Sequence, residues 1–203
     1  NVTENAEDGH IYEVKHIFSR TAQCCVILFI TTVTVLVNLA IVGNIQRNEI
    51  KRRMVNFTLI SHLCTVDILG SVLIAPLPFV TTFHGRWIHN EFICTSSCVA
   101  VVAMWLQHLL VFCVLKIDQL LAGWLPFGRY PLINADAATF LVLTIWAIAF
   151  SISGLVIAVY GAIFEPAVML CIPNLPPTFF FGIFGLYCLI IGGMIISYCV
   201  FFC

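Results

Sequence analysis

Charge is what this sequence has least of. Its 203 residues include 9 Lys and Arg and 10 Asp and Glu, or 9% of the chain. Soluble domains carry roughly 25%. Too few charges exist to clothe a water-exposed surface, so a soluble globular domain is excluded. A formal net charge of −1 offers no basic field to a nucleic acid. H-E-x-x-H, a Gly-rich phosphate loop and a C-x-x-C pair are all missing. An enzyme is therefore not expected, and neither are catalytic residues, a cofactor or a metal. His84 and His89 share one loop, but two histidines are too few for a metal site and read as solvated. No segment alternates polar and apolar residues over the roughly ten positions of a barrel strand.

Apolar residues are abundant instead: 61% of the chain, with a mean hydropathy of +1.05. A helix needs about 20 of them in a row to cross a bilayer. Five segments qualify: 22–45, 54–83, 92–117, 137–160 and 178–203. The expected fold is an all-α membrane protein, a helical bundle preceded by an extracellular segment over 1–21. The first run begins only after residue 21 and lacks a cleavage-like flank, so no signal peptide is expected.

Lys and Arg in short loops orient the bundle. Arg47, Lys51, Arg52, Arg53, Lys116 and Arg129 fall on one side, and Lys15, Arg20 and Arg86 on the other. The richer side is expected in the cytoplasm, with the N-terminus outside. Asn1-Val2-Thr3 is then a glycosylation sequon on the outer side. The sequon at Asn56 falls on the inner side and is discounted. Of ten cysteines, Cys64, Cys113, Cys188 and Cys199 lie within spans and read as small apolar residues. Cys94 and Cys171 fall on the oxidising outer side, where a bridge between them is one pairing among several.

The landmarks of these segments resemble helices one to five of a rhodopsin-like (class A) G protein-coupled receptor. "LVNLAIV" places Asn38 as the helix-one asparagine, and "LCTVD" places Asp67 as the helix-two carboxylate. Trp87 precedes Cys94 as in W-x6-C. "DQL", Asp118 to Leu120, stands where the family has D-R-Y, with Pro126 eight residues on. Trp146 matches the helix-four tryptophan, Cys171 the outer-loop cysteine that bridges to helix three, and Tyr198 the helix-five tyrosine. Gln119 replaces the signature arginine, and Ile190 stands where helix five carries a proline. The C-W-x-P and N-P-x-x-Y motifs of helices six and seven are absent from this chain. It is either a fragment of a longer receptor or a truncated product.

The resemblance implies an extracellular ligand, a heterotrimeric G protein as cytoplasmic partner, and a multi-pass plasma-membrane protein in contact with lipid that could join a receptor oligomer. The coupling surface would comprise Asp118, Gln119, Pro126, Phe127 and Tyr198. Gln119 has no charge for an ionic pair, which means altered control, lost coupling or simple drift. Phe127 either enters a pocket on the G protein or dips into the interface beside Trp124. The ligand pocket would be lined by Val101, Val102, Trp105, Ile172, Gly182 and Leu186. Val101 stands where amine receptors carry an aspartate, so a simple monoamine is disfavoured and a lipid or other apolar ligand suits. Trp105 either floors that pocket or packs between helices.

Family members also hold sodium at the helix-two aspartate. Here His108 replaces a small polar residue, which implies an Asp67–His108 contact, aided by Asn38, in place of the ion. The alternative is that His108 bonds a backbone carbonyl. A non-signalling scaffold or decoy is the competing reading of the whole chain. A transporter is disfavoured because no internal repeat is present and only Asp67 and His108 lie at membrane depth.

Overall fold

The computed structural model describes residues 2–52, 54–124 and 135–176, with side chains over 19–50, 54–118 and 136–176, and the isolated Gly185 and Gly192. The expected fifth segment, 178–203, otherwise lies outside the described residues. Among those described, four helices are long and apolar enough to cross a membrane: Ser19–Arg47, Val55–His84, Glu91–Asp118 and Asp136–Tyr160.

Helix α1 runs unbroken from Val2 to Arg47, 46 residues and about 69 Å at 1.5 Å per residue. No proline interrupts the chain before Pro76. The segment expected to precede the first span is thus continuous with it. Asn48 then starts a one-turn helix, α2 (Glu49–Arg52), its Oδ1 accepting the Ile50 N–H at 3.1 Å.

The second span is two helices, α3 (Val55–Leu73) and α4 (Pro76–His84), where the sequence reading had one. Pro76 has no N–H to give Val72, and Pro78 none to give Ile74. The ladder shifts to compensate. The N–H groups of Ile74 and Ala75 both donate to Gly70 O, at 2.9 and 3.1 Å. α4 ends at Gly85 in the left-handed region (φ 68°), where a Cβ would lie 2.7 Å from Arg20 Nη1. The left-handed backbone favours glycine there, and a side chain would also displace the flexible end of Arg20.

Helix α5 (Glu91–Trp124) is capped by Asn90, whose Oδ1 accepts the Ile93 N–H at 2.9 Å. It continues well past the expected end at 117, so Asp118 to Leu120 lie within a helix rather than at the start of a loop. α6 (Ala135–Tyr160) closes on Gly161 (φ 77°). A hairpin absent from the sequence reading follows: β1 (Ala162–Glu165) pairs antiparallel with β2 (Leu170–Pro173), setting Phe164 opposite Cys171.

Helix α5 is central. It packs on α3, on α6 and on the hairpin, while α1 packs on α3 and α4. One core cluster joins Val55 and Leu59 of α3, Val111 and Leu115 of α5, and Ala138, Val142 and Ile145 of α6. A second, at the other end, joins Cys94, Cys98, Ile157 and Cys171 beneath Trp87 and Phe164. Small residues on α5 and α6, among them Ala103, Ala149 and Ser153, are fully buried. Small residues let helices approach closely in lipid, where apolar transfer supplies no drive to pack. Large apolar side chains face outward all round, with Phe29, Leu36, Phe140 and Leu155 each more than 60% exposed.

Candidate functional site

At the disulfide end, Cys94 on the first turn of α5 is bonded to Cys171 on β2, with Cα atoms 5.4 Å apart. This selects one pairing from the several that sequence allowed. Trp87 packs over it, 5.4 Å between ring centroids from Phe164 of β1 and 5.0 Å from His89 in an edge contact. The bridge and these rings hold the hairpin against the start of α5. His84 Nδ1 is 2.9 Å from Val80 O on its own helix.

Ile172 follows the bridged cysteine on β2 and is half-buried. Val101 and Val102 on α5 are half-buried too, and Trp105, one turn beyond Val101, is 38% exposed. Val101 and Trp105 share a helix face by their spacing of four. Gly182 and Leu186, expected to complete this pocket, lie outside the described residues.

Deeper along α5 lies a polar core built from two helices. His108 Nε2 is 3.0 Å from Asp67 Oδ1 on α3. Its other nitrogen, Nδ1, is 3.2 Å from the carbonyl oxygen of Met104, one turn back. The ring faces Asp67 as expected rather than pointing elsewhere, and it meets a backbone carbonyl in addition. Both ring nitrogens face oxygen atoms, Asp67 Oδ1 on one side and Met104 O on the other. Met104 Sδ lies 3.5 Å from where a Cβ of Gly70 would be, an ordinary packing distance, so the thioether lies against α3 one turn above the pair.

Asn38 departs from expectation. It is buried, but its amide nitrogen donates to Thr34 O at 2.9 Å on its own helix, and no hydrogen bond to Asp67 is formed among the described residues. A carbonyl one turn back is always within reach of a helical side chain of this length, whereas Asp67 already has the imidazole.

Gln107 was missed by sequence reasoning. It is fully buried, and neither amide atom has a partner among the described residues. The signal was available: it is the one amide in the apolar run from Cys98 to Leu115.

At the opposite end, Trp146 packs on the core cluster and stacks on Phe150, centroids 5.4 Å apart. Lys116 Nζ lies 5.5 Å from the Phe112 ring centroid, and Asp118 is half-buried. The backbone of Gln119 is helical, but its side chain lies outside the described set, as do Asn1, Pro126, Phe127 and Tyr198. Among the described residues, no three His, Cys, Asp or Glu side chains gather to hold a metal.

Comparison with known proteins gives this arrangement its context. The family model for the 7 transmembrane receptor (rhodopsin family) matches residues 37–203. The 5-hydroxytryptamine receptor 1E of Homo sapiens is 28% identical over 141 residues, covering 68% of this chain and 38% of that receptor. The "Probable G-protein coupled receptor 63" of Mus musculus is 28% identical over 128 residues, covering 63% of this chain and 29% of that protein. The prostaglandin E2 receptor EP4 subtype of Rattus norvegicus is 29% identical over 66 residues, 32% of this chain and 14% of that receptor. The chain thus spans well under half the length of the curated relatives it matches. Its bridged hairpin and apolar spanning helices accompany a family match over most of its length, and the chain is a multi-pass membrane protein that belongs to the rhodopsin family of seven-transmembrane receptors.

Proposed function

We propose that the protein carries the signal of an extracellular ligand to a heterotrimeric G protein at the plasma membrane, with its N-terminus outside. The observation that supports this most is the hairpin tied by Cys94–Cys171 to the start of α5, above the face bearing Val101 and Trp105. A ligand held there would favour one helix arrangement over another and so shift the population that binds the G protein. Asp118, Gln119, Pro126, Phe127 and Tyr198 would form the inner surface of contact.

The ligand is apolar or lipid-like. The 5-hydroxytryptamine receptor 1E is named for an amine, but this chain has Val101 where a carboxylate would be needed to meet a cation. The prostaglandin receptor's name shows a lipid ligand within the same family. Val101, Val102, Trp105 and Ile172, with Gly182 and Leu186 expected to join them, are apolar and would offer no ion pair. Guanine-nucleotide exchange on membranes holding the full-length protein and purified G proteins, screened against lipid and amine panels, tests this. Exchange raised by a lipid and not by amines is expected. Amine-driven exchange would overturn the ligand class. No exchange with any G protein, basal or stimulated, would overturn signalling.

A second reading is a non-signalling partner that assembles with other receptors. Gln119, with no charge in the place of the signature arginine, favours it.

A further inference from the structure

The rhodopsin-family resemblance implies a sodium ion at Asp67, and the residues around Asp67 do not fit one. Its Oδ1 faces His108 Nε2 at 3.0 Å. The ring is held from behind, because Nδ1 sits 3.2 Å from Met104 O. Turning the ring aside to admit a cation would forfeit both contacts.

An alkali cation also needs a shell of oxygens, and among the described residues α5 offers Asp67 none. Between Ser97 and Asp118, α5 carries no Ser, Thr, Asn, Asp, Glu or Tyr. Its sole side-chain oxygen there belongs to Gln107, which is fully buried in the row Ala103–Gln107–Val111. The nearest ring of α5 to Asp67 instead presents an imidazole and the thioether of Met104, which rests on Gly70. A thioether is a soft ligand that a hard cation does not choose. Asn38 places its amide on Thr34 O.

We infer that His108 takes the place of the ion: its Nε2 side meets the Asp67 carboxylate, ties α3 to α5 at mid-span, and leaves this receptor insensitive to sodium. A carboxylate at membrane depth is costly unless paired, and here the partner is covalently part of the chain. Sodium concentration then cannot bias the helix arrangement through Asp67. The inference rests on the geometry of α3 and α5, and it stands whether or not the protein couples to a G protein.

The experiment is thermal unfolding of the purified full-length protein in sodium chloride against choline chloride at equal ionic strength. A site filled to ten times its dissociation constant would raise Tm by about 3–6 °C. Wild type is expected to show no difference between the salts. His108→Ser removes the ring and returns a hydroxyl beside Asp67. This variant is expected to gain a sodium-dependent rise, which a further Asp67→Asn removes. A sodium-dependent rise in wild type that Asp67→Asn abolishes would overturn the inference. So would a folded His108→Ser protein with no sodium response, since the exclusion would then not be the work of His108. If His108→Ser fails to fold, the 23Na linewidth with wild type decides. Broadening beyond that seen with Asp67→Asn overturns the inference, and equal linewidths support it.

Discussion

Replacing Cys94 by Ala should loosen the hairpin and destabilise the whole disulfide end. The bridge closes a loop with a sequence separation of 77. A random-coil loop of that length would lose about 15 cal/mol/K on closure, or about 4.5 kcal/mol at 25 °C. That is a ceiling, because α5 and α6 stay inserted as helices in lipid and the cross-link restrains less chain than the count implies. Nor is the bridge alone in holding the hairpin. Cys98 and Ile157 are buried beneath it, and Trp87 packs on Phe164. The expected loss is about 2–4 kcal/mol. At about 2–4 °C per kcal/mol for a domain of this size, Tm should fall by about 4–16 °C. Thermal unfolding of the purified full-length protein measures this, and surface labelling of expressing cells gives a second readout. Cys171→Ala should match Cys94→Ala, and the double variant should match either, since all three remove one bond. A Cys94→Ala protein with the wild-type Tm would refute the reasoning. So would a double variant that falls by the sum of the two singles.

Gly85→Ala should destabilise by about 1–2 kcal/mol from its left-handed backbone alone, and Arg20 must also move off the new Cβ; an unchanged Tm would mean the α4 terminus relaxes freely. Gln107→Met swaps a buried, unpartnered amide for an apolar chain of similar length. It should hold or raise stability, by up to about 1–3 kcal/mol for each polar atom relieved, and a lower Tm would reveal a partner for the amide. Gln119→Arg in the full-length protein should change basal nucleotide exchange if position 119 governs resting control. Equal basal exchange in both proteins would mark the glutamine as drift.

Segment lengths were legible in the sequence because the bilayer imposes them locally. About 20 apolar residues cross it whatever their neighbours do, and the four described spans overlie the first four expected segments. Local chemistry should have exposed the break at Pro76 and Pro78 as well, and it was overlooked because both prolines sit inside one uninterrupted apolar run. Which face of each helix turns inward was not legible. In water, apolar residues mark the buried side. In lipid, the core and the surroundings are equally apolar, so Leu59 at 0% exposure and Leu155 at 66% look alike in the sequence. The same loss of contrast hid which cysteines would meet, that Asn38 would bond its own helix, and that Gln107 would be buried. Asp67 and His108 stood out as rare polar groups at depth, but 41 residues of chain separate them. Only the packing of α3 on α5 brings the imidazole to 3.0 Å from the carboxylate.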